Sequence, residues 1–482
     1  MWQLNTDVQP WYWRSLPLGG STGADVFATL FRPNPTAIAT LLESPSHTPK
    51  TAVNSRYSIC AGSPRVINGH LQMWTLPVGQ ILPFLKNLLL RTSQNNQNPQ
   101  SETSPPPSLP FTGGWLGWLG YDLAWEIEQL PQLKSDSLAF PVAFWYEPEC
   151  FAVLDHASQI LWLAASHLGD LDRLQQQLEF GREGVREWGS RGLGENIPSS
   201  SSLIFHTNKE DYLTSVNRVK KYIRAGDIFQ ANISLRFEAQ TAASGWEIYR
   251  NLHSINPSPF ASYWQTPWGE VISCSPERLV QLQNGQAQTR PIAGTRSRGL
   301  TTATDHQLAE ELSANIKERA EHIMLVDLER NDLGRVCEWG SVVVDELLTI
   351  ERYSHVMHLV SNITGTLRSL SQGVDLIRAV FPGGTITGCP KVRCMEIIEE
   401  LEPMRRSLFY GSCGYLDQRG NLDLNILIRT LLFPLPPSPN SPRPIFGQVG
   451  AGIVADSNPE REWEESLSKA QAQLAALQGT WR

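Results

Sequence analysis

The sequence predicts an α+β fold with large antiparallel sheets, and three observations carry that expectation. Short apolar runs at 144–154, 271–274, 425–433 and 445–449 have the length and composition of strands. Longer segments at 305–328 and 460–477 repeat apolar residues every three or four positions, which lines one face of a helix. Strands and helices do not alternate strictly, so the βαβ order that builds a parallel sheet is missing. Within this plan, Asp305 offers a side-chain N-cap to the first long helix. The proline-rich tract 434–444 lies between two strand-like runs and reads as an excursion from a hairpin. The last helix is acidic at its start, which suits the positive end of its dipole, and carries Lys469 further along.

Whole-chain properties narrow the function. The chain has 482 residues and 41% hydrophobic content, enough for a large core in two domains or one two-lobed unit. A formal net charge of -8 argues against general nucleic-acid or membrane-surface binding, which needs basic patches. An anionic substrate therefore needs a locally basic or metal-loaded site. Seven cysteines are scattered without paired metal-ligand spacing, and Met1-Trp2-Gln3-Leu4 lacks the charged and apolar regions of a signal peptide. We expect a reduced, cytoplasmic protein with no transmembrane segment. Segments 92–110, 181–202 and 434–444 have linker composition, and the middle one separates a region 1–190 from a region 204–477. No internal repeat is visible.

Candidate chemistry concentrates in the second region. Glu318 with Glu321, and Glu462 with Glu465, are spaced three apart on predicted helices, so each pair shares a face. Two such faces opposed would form a hard oxygen cage suited to Mg2+, although spacing alone fits a solvated helix surface better. Lys469, one turn past Glu465, either pairs with it or reaches a substrate carboxylate. Gly450-Ala451-Gly452-Ile453-Val454 leaves backbone N–H groups open to an anion, or simply makes a tight turn. The run Phe381-Pro382-Gly383-Gly384-Thr385-Ile386-Thr387-Gly388-Cys389-Pro390-Lys391 has the make-up of an anion-handling loop without P-loop spacing. His358 sits in an apolar strand, where a hydrogen-bonded core histidine is the commoner explanation, and His355 is expected to be exposed. Arg429 closes an apolar strand and, if buried, needs an anion or a backbone partner. Gln230, in Gly226-Asp227-Ile228-Phe229-Gln230-Ala231-Asn232, has no titratable group and cannot be the general base that a lysine there would provide. That points to ammonia, not water, as the nucleophile.

Taken together, these segments resemble the chorismate-utilising enzymes, in particular component I of aminodeoxychorismate synthase and of anthranilate synthase. The motifs that carry the resemblance are Ser275-Pro276-Glu277-Arg278, Pro291-Ile292-Ala293-Gly294-Thr295-Arg296, Glu318-Arg319-Ala320-Glu321-His322, Asp327-Leu328-Glu329-Arg330-Asn331-Asp332, His358-Leu359-Val360-Ser361, the loop to Lys391, and 450–469. The first region is similar more loosely, through Leu41-Leu42-Glu43-Ser44, Arg56-Tyr57-Ser58 and Gly120-Tyr121-Asp122. The resemblance implies sheets packed face to face with helices outside. It implies Mg2+ on Glu321 and Glu465 supported by Glu318 and Glu462, and substrate carboxylates addressed by Gly450, Ala451, Gly452 and Lys469. It gives the enolpyruvyl carboxylate to Arg429, further substrate contacts to Ala293, Thr295 and Gly388, and chemistry to Gln230, His358, Thr387 and Lys391. The family's tyrosine ahead of Arg429 is Phe409 here, with Tyr410 placed to compensate. Leu42, Glu43 and Ser44 match a segment that binds tryptophan in some members, an ordinary buried strand being the plain alternative. Ammonia would come from a separate glutamine amidotransferase subunit, because no glutamine-hydrolysing module is recognisable in the chain.

The resemblance leaves two products open. Ammonia placed at C4 with the enolpyruvyl group retained gives 4-amino-4-deoxychorismate; ammonia at C2 followed by loss of pyruvate gives anthranilate. Members that add water carry lysine at the position of Gln230. In aminodeoxychorismate synthases a lysine at the position of Ala293 attacks C2 covalently, and alanine there is similar to anthranilate synthase instead. The loop 381–388, Asn232, Gly411-Ser412-Cys413-Gly414-Tyr415 and the opening Trp11-Tyr12-Trp13-Arg14 resemble the aminodeoxychorismate form. The sequence favours aminodeoxychorismate synthase, with anthranilate synthase component I as the alternative. A non-catalytic regulator that binds chorismate or tryptophan is the reading from another class.

Overall fold

The computed structural model describes residues 11–478 except 33, 35, 46–55, 96–108, 189–202, 354–355 and 437–442. His355 and much of the three linker segments lie outside the described residues.

Two large antiparallel sheets dominate, of 12 and 10 strands. The first runs Tyr12–Pro17, Ile160–Ala165, Cys150–Asp155, Tyr57–Ala61, Ala39–Glu43, Phe260–Thr266, Gly269–Ser275, Thr430–Pro434, Arg443–Ile453, Gln230–Thr241 and Ile204–Phe205, with Gly388–Cys389 paired to Gln230–Thr241. The second runs Ile292–Ser297, Val356–Thr366, Gln286–Thr289, Arg278–Gln283, Leu422–Asn425, Ser412–Asp417, Gly114–Leu119, Ala143–Tyr146 and Met73–Leu76, with Val343–Arg352 alongside Val356–Thr366. Strands from before 190 and after 204 therefore share both sheets.

Alternate strand residues point to opposite faces, and this period of two builds two cores. Ile59, Ala61, Trp264, Val271 and Leu432 of the first sheet share one buried core with Trp118, Phe144, Val280, Leu282 and Leu424 of the second. Trp118 and Trp264 meet edge to face with centroids 5.7 Å apart, a geometry that adds about 0.5–1.5 kcal/mol to the burial itself. The Tyr146 hydroxyl donates across the interface to Thr40 Oγ1 at 2.8 Å. The intervening residues Leu41, Cys60, Tyr263, Ile272 and Leu431 face away, into a second core with residues of the helices Gly23–Leu30, Lys209–Ala225, Gly245–Ile255, Lys391–Leu401 and Pro459–Gln478. The expected architecture of facing sheets with helices outside is what the chain adopts.

Two local expectations need correction. The helix expected over 305–328 is two helices, Thr302–Ala314 and Ile316–Gly334. Thr301 and Thr304 form a capping box at the first, and Asn315 caps the second by accepting from the Glu318 N–H. Short polar side chains that bond nearby backbone favour helix ends over interiors, so the chain breaks at Asn315. Asp305 is not the cap; it accepts from Arg298 at 2.7 Å and from the Gly299 N–H at 2.9 Å. The run 144–154 is likewise split between the two sheets, with Pro148, which has no N–H to donate, at the crossing. The hairpin around 434–444 is present, with Leu431 opposite Gly447. No described helix is long and apolar enough to cross a membrane.

Candidate active site

Of the candidate residues, Arg429 lies where the chain passes between the sheets. The chain leaves Gly269–Ser275 of the first sheet through Glu277 to enter Arg278–Gln283 of the second, and returns from Leu422–Asn425 through Arg429 to Thr430–Pro434. The two crossings are tied together: Ser275 Oγ donates to Ile426 O at 2.6 Å, and the Ile426 N–H donates to Glu277 O at 3.0 Å. Irregular backbone at a crossing breaks the in-and-out alternation of a strand, so charged side chains are turned inward there. Arg429 adopts a left-handed conformation with φ 51°. Among the described residues its guanidinium has no hydrogen bond or ion pair; burial lowers its pKa, and Tyr410, Glu277 and Glu465 favour the charge.

Glu277 is buried, with Oε1 lacking a hydrogen-bond partner. Desolvation lifts its pKa to about 7 against opposing pulls from the Thr385 hydroxyl, which stands outside hydrogen-bonding geometry, and from Arg429. The sequence reading missed this residue as chemistry. Its only signal was membership of the Ser275-Pro276-Glu277-Arg278 motif, and its burial beside a cation depends on the crossing.

Gln230 opens the strand Gln230–Thr241, buried and with Oε1 unpartnered. Its backbone is paired with Cys389, while Asn232, Ile233 and Ser234 lie opposite Gly452, Ala451 and Gly450. The loop 381–391 and the glycine-containing strand are thus brought to the same residue from distant parts of the chain. A Cβ on Gly452 would stand 2.3 Å from Gln230 Nε2, and one on Gly388, at φ +130°, 2.1 Å from Gln230 O. Replacing Gly388 with alanine is therefore expected to cost more than ~1 kcal/mol of stability. A thermal melt indistinguishable from that of the parent protein would show that the contact is looser than this.

The glycine-containing strand has an open edge. Its pairing with Thr430–Pro434 ends at Gly447, so through Gly450, Ala451 and Gly452 it has a strand partner on one side only. Lys469 reaches that end of the strand, donating to Gly450 O at 3.0 Å and pairing with Glu465 at 2.8 Å.

The two carboxylate pairs lie on the helices Ile316–Gly334 and Pro459–Gln478. Desolvation raises the Glu321 pKa, Lys317 opposes, and Glu318 and Glu465 raise it further. Desolvation also raises Glu462, opposed by Ser457 and reinforced by Glu465. Glu318 takes Arg296 at 3.2 Å and Glu321 faces Lys317 at 3.6 Å. As these side chains stand, no three acidic, imidazole or thiol groups among the described residues converge closely enough to ligate an ion. The donors are nonetheless hard oxygens on two helices, and the mutual repulsion of Glu321 and Glu465 is what a divalent cation offsets. They fit Mg2+.

The remaining candidates divide. His358 Nδ1 lies 3.0 Å from Thr295 Oγ1, the two residues being register partners. Desolvation lowers the His358 pKa to about 4, so it is neutral at pH 7. Ala293 is in the same strand as Thr295, opposite Leu359 and just before a bulge. Thr387 is buried and donates to Gly383 O at 2.8 Å. Lys391 is committed to Asp332 at 2.6 Å and Val380 O at 2.9 Å, so its ammonium fastens the loop to the helix Ile316–Gly334. Phe409 stacks under Arg236 at 5.3 Å, while the Tyr410 hydroxyl is buried and unpartnered near Arg429. Leu42, Glu43 and Ser44 border a separate cavity of about 250 Å³, with Phe260, Arg278 and Cys413. The Glu43 carboxylate itself accepts from the Ala24 N–H at 2.8 Å and the Tyr249 hydroxyl at 2.7 Å.

Facing antiparallel sheets, two carboxylate-bearing helices, an arginine without an ion pair among the described residues and a glycine-containing strand edge make up the candidate site. The family model described as chorismate binding enzyme matches residues 40–475, and the chain belongs to that family. It is 57% identical to an anthranilate synthase component I-like protein of Synechocystis sp., over 98% of this chain and 93% of the relative. It is 42% identical to aminodeoxychorismate synthase component 1 of Bacillus subtilis, over 89% of this chain and 91% of the relative. The crystal structure of anthranilate synthase component I from Streptococcus pneumoniae matches with a TM-score of 0.69 at 30% identity, covering 88% of this chain and 93% of that one. The protein is a chorismate-utilising enzyme of the anthranilate synthase and aminodeoxychorismate synthase kind.

Proposed function

We propose that this enzyme aminates chorismate to 4-amino-4-deoxychorismate, using ammonia delivered by a separate glutamine amidotransferase subunit. The observation that carries the choice of nucleophile is Gln230. Its side-chain amide is buried against Gly452 and its oxygen has no hydrogen-bond partner, while its backbone carbonyl packs against Gly388. An amide at that place holds a neutral nucleophile by hydrogen bonding and takes no proton from it, which suits ammonia and leaves water inactive.

The chain's own residues supply binding and proton transfer. Arg429 pairs with one substrate carboxylate; the open edge at Gly450, Ala451 and Gly452, with Lys469, takes another. Mg2+, held by Glu321 and Glu465 with Glu318 and Glu462 behind them, would offset the negative charge of the ring carboxylate and favour loss of the C4 hydroxyl. Protonated Glu277 donates to that hydroxyl, which departs as water with the C–O bonding electrons, while the ammonia lone pair forms the C4–N bond and leaves a C4 ammonium; the enolpyruvyl group stays in place, and each cycle consumes one proton. Neutral His358, oriented by Thr295, remains beside the ring without adding charge.

A second reading, anthranilate synthase component I, is favoured by Ala293, which has no nucleophile to attack C2. Incubating the chain with chorismate, Mg2+ and ammonium, with and without aminodeoxychorismate lyase, separates the two. Expected is 4-aminobenzoate only when the lyase is present. Fluorescent anthranilate without it would overturn the proposal, and absence of any turnover would favour a regulatory protein.

The cavity beside Leu42 and Ser44 is our candidate tryptophan site. A rise in melting temperature with L-tryptophan is expected, lost when Ser44 is replaced by a bulky residue; no shift with the wild-type protein would remove the assignment.

A further inference from the structure

Glu329 is a second acid with a carboxylate oxygen sealed from solvent, and the proposed steps leave it unused. It lies eight residues beyond Glu321 on the helix Ile316–Gly334, on the face that also carries Leu325 and Asp332. At the helical rise this is ~12 Å further along, on the same side as the carboxylate pair. The residue is half-buried, but its Oε2 is sealed from solvent and makes no hydrogen bond. A cavity of about 10 Å³, bordered by Thr289, Glu329, Asp332, Gly383, Gly384 and Ile426, lies beside it. That volume admits about one water molecule. Ile426 is the residue whose N–H is bonded to the Glu277 carbonyl, so the cavity abuts the crossing that carries Glu277. The Thr289 hydroxyl and Glu277 Oε1 are, like Glu329 Oε2, buried without partners.

Thr289 and Glu329 border this water-sized space and Glu277 is joined to it only through Ile426; buried polar atoms left without partners are costly, because each has given up its solvent. We propose that Glu329 is the proton relay for Glu277, passing a proton through the Thr289 cavity to restore the acid after each turnover. The inference rests on the reading of Glu277 as the acid that protonates the leaving hydroxyl. In each cycle Glu277 loses one proton to the departing water. Glu329 returns one to the Glu277 carboxylate through the cavity, and the half-exposed Glu329 takes its own replacement from solvent. The electrostatics agree: desolvation lifts the Glu329 pKa to about 8, Thr289 opposes, and Glu277 and Asp332 raise it while Lys391 opposes. Both acids therefore hold protons near neutrality, which a relay requires.

Glu329→Gln keeps the shape and loses the proton. Expected is a roughly tenfold fall in kcat with the KM for chorismate unchanged, a larger solvent deuterium isotope effect, and partial rescue by small protonated buffers. Thr289→Val is expected to act in the same direction. A second readout does not depend on turnover: at pH 7 the infrared carbonyl band of a protonated carboxylic acid is expected in the wild-type protein and reduced in Glu329→Gln. An active wild-type enzyme whose kcat and isotope effect are untouched by Glu329→Gln would overturn the relay and leave the functional reading standing. An infrared band unaffected by the substitution would overturn it too. Failure of the wild-type enzyme to turn over chorismate would sink the functional reading, and with it the relay.

Discussion

Chorismate turnover is expected to fall by roughly 10³-fold when Glu321 or Glu465 is replaced by glutamine, the several kcal/mol that a Lewis-acid contact supplies. The amide keeps the size of the carboxylate and removes the charge. Substitution of Glu318 or Glu462, placed one helical turn away, is expected to cost less, ~10–100-fold, as supporting groups around a metal do. The structure adds a sign that distinguishes loss of a metal ligand from loss of the fold. Glu321 is held above its ordinary pKa by burial and by neighbouring carboxylates, so its ionised form is disfavoured where it stands. Removing that charge relieves repulsion. In chelator, Glu321→Gln is therefore expected to melt at the same temperature as the parent or higher, while Mg2+ no longer raises its Tm. Undiminished activity, or a melt still responsive to Mg2+, would leave the four glutamates as helix surface.

The second large effect is expected at Glu277. Glu277→Gln should lower kcat by ~10²–10⁴-fold, the range for a positioned general acid. The pH dependence follows from the direction of the shift. With its pKa raised to about 7, the acid form that donates persists well above the ordinary carboxylate range. The rate per unit of free ammonia should accordingly be full below that value and decline as pH rises through it. His358, neutral down to about pH 4, contributes no limb in the working range. In Glu277→Gln the decline should vanish with the rate. If the variant retains the same alkaline limb, another group carries the proton.

Much of the molecule was legible before any coordinates. The three-residue spacing of the glutamates put each pair on one helix face, and both helices are present. The short apolar runs at 271–274 and 445–449 are strands of a large antiparallel sheet, as their length and composition implied. These are local properties: a side-chain period survives whatever the strand or helix later packs against. Where the reading failed, a competing local interaction won. Asn315 caps a helix and divides the segment expected to be continuous, because its side chain bonds the Glu318 N–H more readily than it tolerates a helix interior.

What Lys391 and Glu277 do was not legible, because neither answer is local. As the end of a glycine-rich loop, Lys391 looked free to meet an anion; Asp332, 59 residues away, already holds it. Glu277 looked like one residue of a motif, and its proton affinity depends on burial at a crossing between sheets and on Arg429 from the other crossing.

By itself, then, the sequence determined the family, the fold class, the helix faces that carry the carboxylates and the absence of a basic group at Gln230, since residue type and spacing are properties of neighbours along the chain. Only the tertiary structure decided which of these groups meet. It brought Gln230 to Gly388 and Gly452, left Arg429 without an ion pair among the described residues, engaged Lys391, and desolvated Glu277 and Glu329. Charge state and partner choice follow from what surrounds a group in space, and two sheets exchanging strands place that surrounding hundreds of residues apart in the chain.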